Sequence, residues 1–146
     1  MPLLETRQFG TLEYAPESVL EFPCGMPAFE DHTRFVLVEK DSIAPFLFLQ
    51  SLIDGLVSFL VLPVKQIDPD FQSVLEPEEL ELLGVGSEPE PLVTLAVVTL
   101  MPGGVPTANL VAPILIHMGN RIGLQSIQPA SNYSHQTPLR REEGRC

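Results

Sequence analysis

The sequence predicts an all-β protein: a small antiparallel β-barrel or barrel-like sandwich carrying one short helix. Three observations carry this. Short β-prone runs recur along the chain, turn signals separate them every dozen or so residues, and only one segment reads as a helix. The 15 prolines among 146 residues point the same way. Proline removes a backbone donor and fixes φ, so it belongs at turns, strand ends and edges.

The elements follow in order. Leu3 to Phe9 is a first strand, Gly10 offers a bend, and Thr11 to Tyr14 alternates as a second. Ser18 to Phe22 alternates again. The run Pro23-Cys24-Gly25-Met26-Pro27 then breaks the pattern. Two prolines and a glycine make a stiff loop, predicted to present Met26 and Phe29 in a fixed pose. Arg34 to Glu39 is a strand. So is Phe46 to Leu52, where Phe46, Phe48 and Gln50 share alternation on one face. Asp54-Gly55 is a turn signal before Leu56 to Leu62. These two runs are almost continuously apolar, so one face meets the core and the other must be covered or bind something.

Asp68-Pro69-Asp70 marks a turn, and Leu75 to Leu83 is the predicted helix. Pro77 suits its first position, and Glu78 and Glu79 suit its first turn, at the positive end of the helix dipole. Leu80 and Leu83 share a face, and Gly84 is placed to cap the C-terminus. Leu92 to Leu100 is the longest β-prone run. Ala108 to His117 reads as a strand with Pro113 at a bulge or edge. Gly119-Asn120 turns into a last strand, Arg121 to Ile127. The polar stretch from Pro129 to Cys146 is predicted to be mobile, or ordered only with a partner. No internal repeat or domain linker appears.

Composition bounds the function. A 45% hydrophobic content supports a packed core. The formal net charge of −11 disfavours direct binding to nucleic acid or anionic membrane and matches a basic protein partner. The same charge also serves solubility. Two cysteines, Cys24 and Cys146, make no disulfide framework. The N-terminal residues lack a signal-peptide pattern, and no apolar run reaches the roughly 20 residues of a membrane-spanning helix, so a cytoplasmic location is expected.

No phosphate loop, zinc-protease motif or dinucleotide fingerprint is present. His32, His117 and His135 lie far apart in sequence, without the ligand spacing of a metal site. No cofactor and no catalysis are expected. Cys24 has no neighbouring base to activate it. The carboxylates Asp68 and Asp70, and Glu76, Glu78, Glu79 and Glu81, read as solvated groups; the glutamates also form a candidate acidic patch for a basic partner. Met26, Phe29, Glu30, Phe46, Phe48, Gln50, Asn109 and Pro113 are the candidate protein-contact residues. Rigid apolar anchors flanked by a few polar groups make effective contact surfaces. At least one of Phe29 and Phe46 is expected at an interface. A small-molecule-binding barrel, a weak hydrolase using Asp68, Asp70 or Glu30, and an adaptor with another partner are the alternatives. A deep interior pocket with converging carboxylates would favour either of the first two, and a filled core without a pocket would count against them.

Taken together, several segments resemble the flagellar assembly factor FliW family. They are Phe9-Gly10, the run from Phe22 to Glu30, Arg34-Phe35, Pro45 to Leu52, Phe59 to Pro63, Asn109 to Ile114, Gln125, and Tyr133 to Leu139. Their order and spacing are more specific than any one of them. The resemblance implies one β domain over residues 1–139; residues 140–146 lie beyond it, in the polar stretch predicted to be mobile. It implies a monomeric, cytoplasmic binding protein whose partners are flagellin and the basic RNA-binding regulator CsrA. In that reading, binding CsrA relieves its repression of flagellin translation, and flagellin that accumulates occupies the factor and leaves CsrA free to repress. One residue departs from the family pattern: Ala28 stands where glycine is usual. If that position has positive φ, alanine is strained there.

Overall fold

A computed structural model describes residues 2–72, 74–85, 92–100, 102–128 and 137–139. The strands are β1 (Leu3–Thr6), β2 (Gly10–Glu13), β3 (Leu20–Glu21), β4 (Arg34–Glu39), β5 (Leu47–Ser51), β6 (Ser58–Pro63), β7 (Val93–Thr99), β8 (Thr107–Ala108), β9 (Ile114–His117), β10 (Ile122–Gln125) and β11 (Thr137–Pro138). The helix α1 spans Pro77–Leu83.

Seven strands close a barrel in the order β3-β4-β5-β6-β7-β9-β10, and β10 returns to β3. Closure removes the exposed edges that an open sheet would leave. All but one of its pairings are antiparallel. The exception is the closing pair, where Ile122 lies parallel to Glu21. The longest strand, β7, pairs with β6 along one edge and divides its other edge between two strands. Its start, Val93 to Leu95, pairs with β9, while Val98 and Thr99 pair with β8. Thr137–Pro138 then adds to β8 as β11. These two residues form a strand, contrary to the mobility predicted for the stretch beginning at Pro129. The predicted tail, 140–146, lies outside the described residues.

The predicted strand from Ala108 to His117 is also corrected. It is two strands divided by a turn. Pro113 has no N–H for a ladder, and Asn109 supplies a local alternative: its Oδ1 accepts from the N–H groups of Val111 and Ala112, each at 3.0 Å. Pro113 is buried just ahead of β9.

The barrel interior is filled. Phe22, Phe35, Leu49, Val61, Ile114 and Ile116 are all 0% exposed. The Phe22 and Phe35 rings meet at 5.0 Å between centroids. Gly123 makes room for them, since a Cβ there would lie 2.5 Å from the tip of Phe22. A second core of Leu62, Val64, Phe71, Ala96, Val98, Ala108 and Leu110 covers the outer face of β6 and β7. This double burial explains why β6 reads as continuously apolar.

The outer face of β5 is covered by the β1–β2 hairpin. Phe9 meets Phe48 edge-on at 5.4 Å, and Arg7 N donates to Gly55 O at 3.0 Å. The helix lies over β9 and β10, burying Leu83 with Leu115 and Leu124 while Leu75 and Leu82 pack alongside. Leu80 is 36% exposed, whereas Leu83 is buried. Glu79 Oε1 accepts from Glu76 N at 2.9 Å at the helix start. Gly84, at φ 75°, ends the helix. Asn120 Nδ2 donates to the carbonyl of Leu83 at 3.0 Å, tying that end to the β9–β10 turn.

Candidate functional site

The 23–30 loop is built around a two-residue turn. Phe29 N donates to Met26 O at 2.7 Å, and Met26 N donates back to Phe29 O at 3.2 Å. Pro27 therefore occupies the first central position and Ala28 the second. Proline fixes its own φ negative, and Ala28 has φ 68°. That combination is a type II turn, whose second central residue favours glycine. The strain foreseen for alanine at this position is thus present. Gly25, at φ 65°, holds the loop closed: its missing side chain leaves the space taken by the Glu30 backbone. Ala28 N donates to Glu30 Oε2 at 2.8 Å.

The loop does not expose Met26, one of the two side chains it is expected to present. Met26 is 2% exposed and belongs to the barrel core. Phe29 is half-buried against that core, edge-on to Phe59 at 5.5 Å and to His32 at 5.5 Å. What the loop does present is Glu30. This carboxylate faces a cleft of about 390 Å³ between the loop and α1, lined also by Cys24, Pro27, Glu78, Glu79, Leu82, Leu124 and Gln125.

Thus Glu30 and two members of the acidic patch, 48 residues on or more, line one depression. Glu76 and Glu81 are exposed but do not line it. The floor is apolar and the rim carries three carboxylates. No lysine or arginine lines it. Sequence reasoning missed the floor residues Pro27, Leu82 and Leu124. Nothing local signals that a helix three strands away in the chain will lie beside this loop.

A second depression, of about 460 Å³, opens at the barrel mouth where β4 ends and β5 begins. Phe46 lies on it, half-buried, with Leu37, Leu47, Val93, Leu95 and Met118. A cis Ala44–Pro45 bond precedes Phe46, which lies one residue before β5. Phe46, Phe48 and Gln50 therefore do not form a common exposed face. Phe48 is covered by Phe9. Gln50 is 0% exposed, and its Nε2 donates to Ser51 O at 3.0 Å and Val57 O at 3.1 Å. It stitches the β5–β6 connection from within. Asn109 and Pro113 organise the turn before β9.

His117 is buried, and its Nδ1 accepts from Asn120 N at 2.9 Å. His32 Nδ1 lies 2.7 Å from Ser51 Oγ. Cys24 is free and exposed. Among the described residues, no three His, Cys, Asp or Glu side chains group so as to hold a metal ion. None of the described helices is long and apolar enough to cross a membrane.

A family model described as FliW protein matches residues 3–139. The flagellar assembly factor FliW of Desulfitobacterium hafniense (strain Y51) is 35% identical over 131 residues, covering 90% of this chain and 86% of the relative. That of Azoarcus sp. (strain BH72) is 36% identical over 130 residues, covering 85% and 89%. A crystal structure of the flagellar assembly factor FliW superposes with a TM-score of 0.87 at 28% identity, over 97% of this chain and 99% of that one. The match in sequence extends over almost the whole barrel, and the solved structure shares its shape: this chain belongs to the FliW family.

Proposed function

We propose that this chain is a cytoplasmic flagellar assembly factor that acts by binding proteins, without catalysis. Its partners are flagellin and the translational regulator CsrA, and its binding of CsrA relieves repression of flagellin translation. The observation that carries this reading is family membership along the length of the chain, with relatives named as flagellar assembly factors. The net charge of −11 supports the second partnership, because an acidic surface complements a basic RNA-binding protein.

The filled barrel favours binding at the surface over the small-molecule alternative. A ligand-binding barrel keeps space within it, whereas this interior is occupied by Phe22, Phe35, Leu49 and their neighbours. Asp68 is engaged in a local turn, its Oδ1 accepting from Asp70 N at 3.0 Å. The test is affinity capture with the tagged chain from the native cell. Recovery of flagellin and CsrA is expected. Recovery of neither, with some other protein retained, would replace this reading with the adaptor alternative.

A further inference from the structure

We propose that the cleft between the 23–30 loop and α1 docks a basic amphipathic segment of a protein partner, one that sets lysine or arginine beside apolar side chains. The inference rests on the proposed partnership with a basic regulator and assigns it a place.

Four features select this occupant. The floor formed by Pro27, Leu82 and Leu124 is apolar and offers contact area. The rim carries Glu30, Glu78 and Glu79 and no basic residue. The ion pair formed among the described residues is Arg34–Glu21, elsewhere on the surface, so these three carboxylates have no cationic partner there. Finally, two large apolar side chains stand exposed nearby: Val74 at 76% and Ile127 at 66%. Their segments are tied by Gln128, whose Oε1 accepts from Val74 N at 2.8 Å and whose Nε2 donates to Val74 O at 3.0 Å. Val74 lies two residues before Glu76 at the helix start, and Ile127 two residues after Gln125 in the cleft. Large apolar side chains are therefore also exposed on the chain segments that adjoin α1 and Gln125.

Other occupants fit less well. A nucleic acid or anionic lipid would meet three carboxylates. A purely apolar segment would strip water from them without giving a partner in return. A second copy of this chain would bring another net charge of −11. A basic amphipathic segment satisfies both floor and rim.

The test compares charge reversals by titration against purified CsrA at low salt. Glu30→Lys and Glu78→Lys are each expected to weaken binding about tenfold. Glu17→Lys makes the same change of charge at an exposed residue that does not line the cleft, and should change binding less than twofold. In a Cys146→Ser background Cys24 is the remaining thiol, and bound CsrA should slow its alkylation at least fivefold. If wild-type chain binds CsrA but the Glu30→Lys/Glu78→Lys double variant binds within twofold of it, with Cys24 unprotected, the cleft assignment is overturned and the proposed function stands. If wild-type chain does not bind CsrA, both are overturned.

Discussion

The barrel mouth and the acidic cleft are depressions of similar size, about 460 and 390 Å³, made of different material. The mouth is lined by Leu37, Leu47, Val93 and Leu95, which also pack on or within the barrel core. Substituting them alters stability along with any contact they make. The cleft rim is made of carboxylates outside the core; Glu30 accepts from Ala28 N and Glu79 from Glu76 N, while Glu78 is the freest of the three. Glu78 is exposed and forms no hydrogen bond or ion pair described above. Surface substitutions of this kind shift stability little. Substitution therefore has more freedom at the cleft rim than at the mouth.

The comparison can be broken from its stable side first. Phe35→Ala removes a ring that is 0% exposed and packs against Phe22 and Phe59. The expected loss is about 3–5 kcal/mol by chemical denaturation, enough to unfold a marginal domain. A loss below about 1 kcal/mol would show that the barrel core is less closely packed than described.

The next effect is smaller and local. Asn109→Ala leaves the N–H groups of Val111 and Ala112 without their side-chain acceptor. A loss of about 1–3 kcal/mol is expected, with CsrA and flagellin binding retained in the folded fraction. If binding falls while stability holds, Asn109 is a contact residue after all. Phe46→Ala separates the same two roles at the mouth. Half-burial against the second core predicts a loss of about 1–3 kcal/mol. Loss of flagellin affinity in a variant that remains folded would make the mouth a binding surface as well.

Ala28→Gly sharpens the account of the loop. Relief of a left-handed alanine is offset in part by the greater freedom of glycine in the unfolded chain. A net gain of about 0.5–1 kcal/mol is expected, read as a higher denaturation midpoint. Destabilisation would mean that the turn tolerates alanine without strain. The smallest effect on stability belongs to Glu78→Lys. It places the wrong sign at a helix start and should cost less than about 1 kcal/mol, while its effect on CsrA binding is large.

How much of this was legible in the residues follows from how local each feature is. Arg34 to Glu39 is a strand with the bounds its pattern predicts. Pro77, the glutamates after it and Gly84 placed α1 within two residues at its start and correctly at its end. The strain at Ala28 was readable from its departure from the family pattern. These signals live within a few residues of chain. The closure of β10 on β3 does not: it is a parallel pairing between residues 101 positions apart, Glu21 and Ile122. The burial of Met26 depends on the barrel interior reaching its loop. The split at Asn109 was hidden because Ala112 to Ile116 is apolar enough to pass for one strand. The cleft itself was half legible. Its glutamates were singled out on both sides, but only the packing of α1 on β9 and β10 brings Glu78 and Glu79 beside Glu30.

The most direct test of the account is titration calorimetry of this chain against purified flagellin and CsrA, separately and together. Saturable binding to each is predicted, with CsrA binding weakened when the chain is first saturated with flagellin. Absence of binding to both proteins, by a chain shown to be folded, would contradict it.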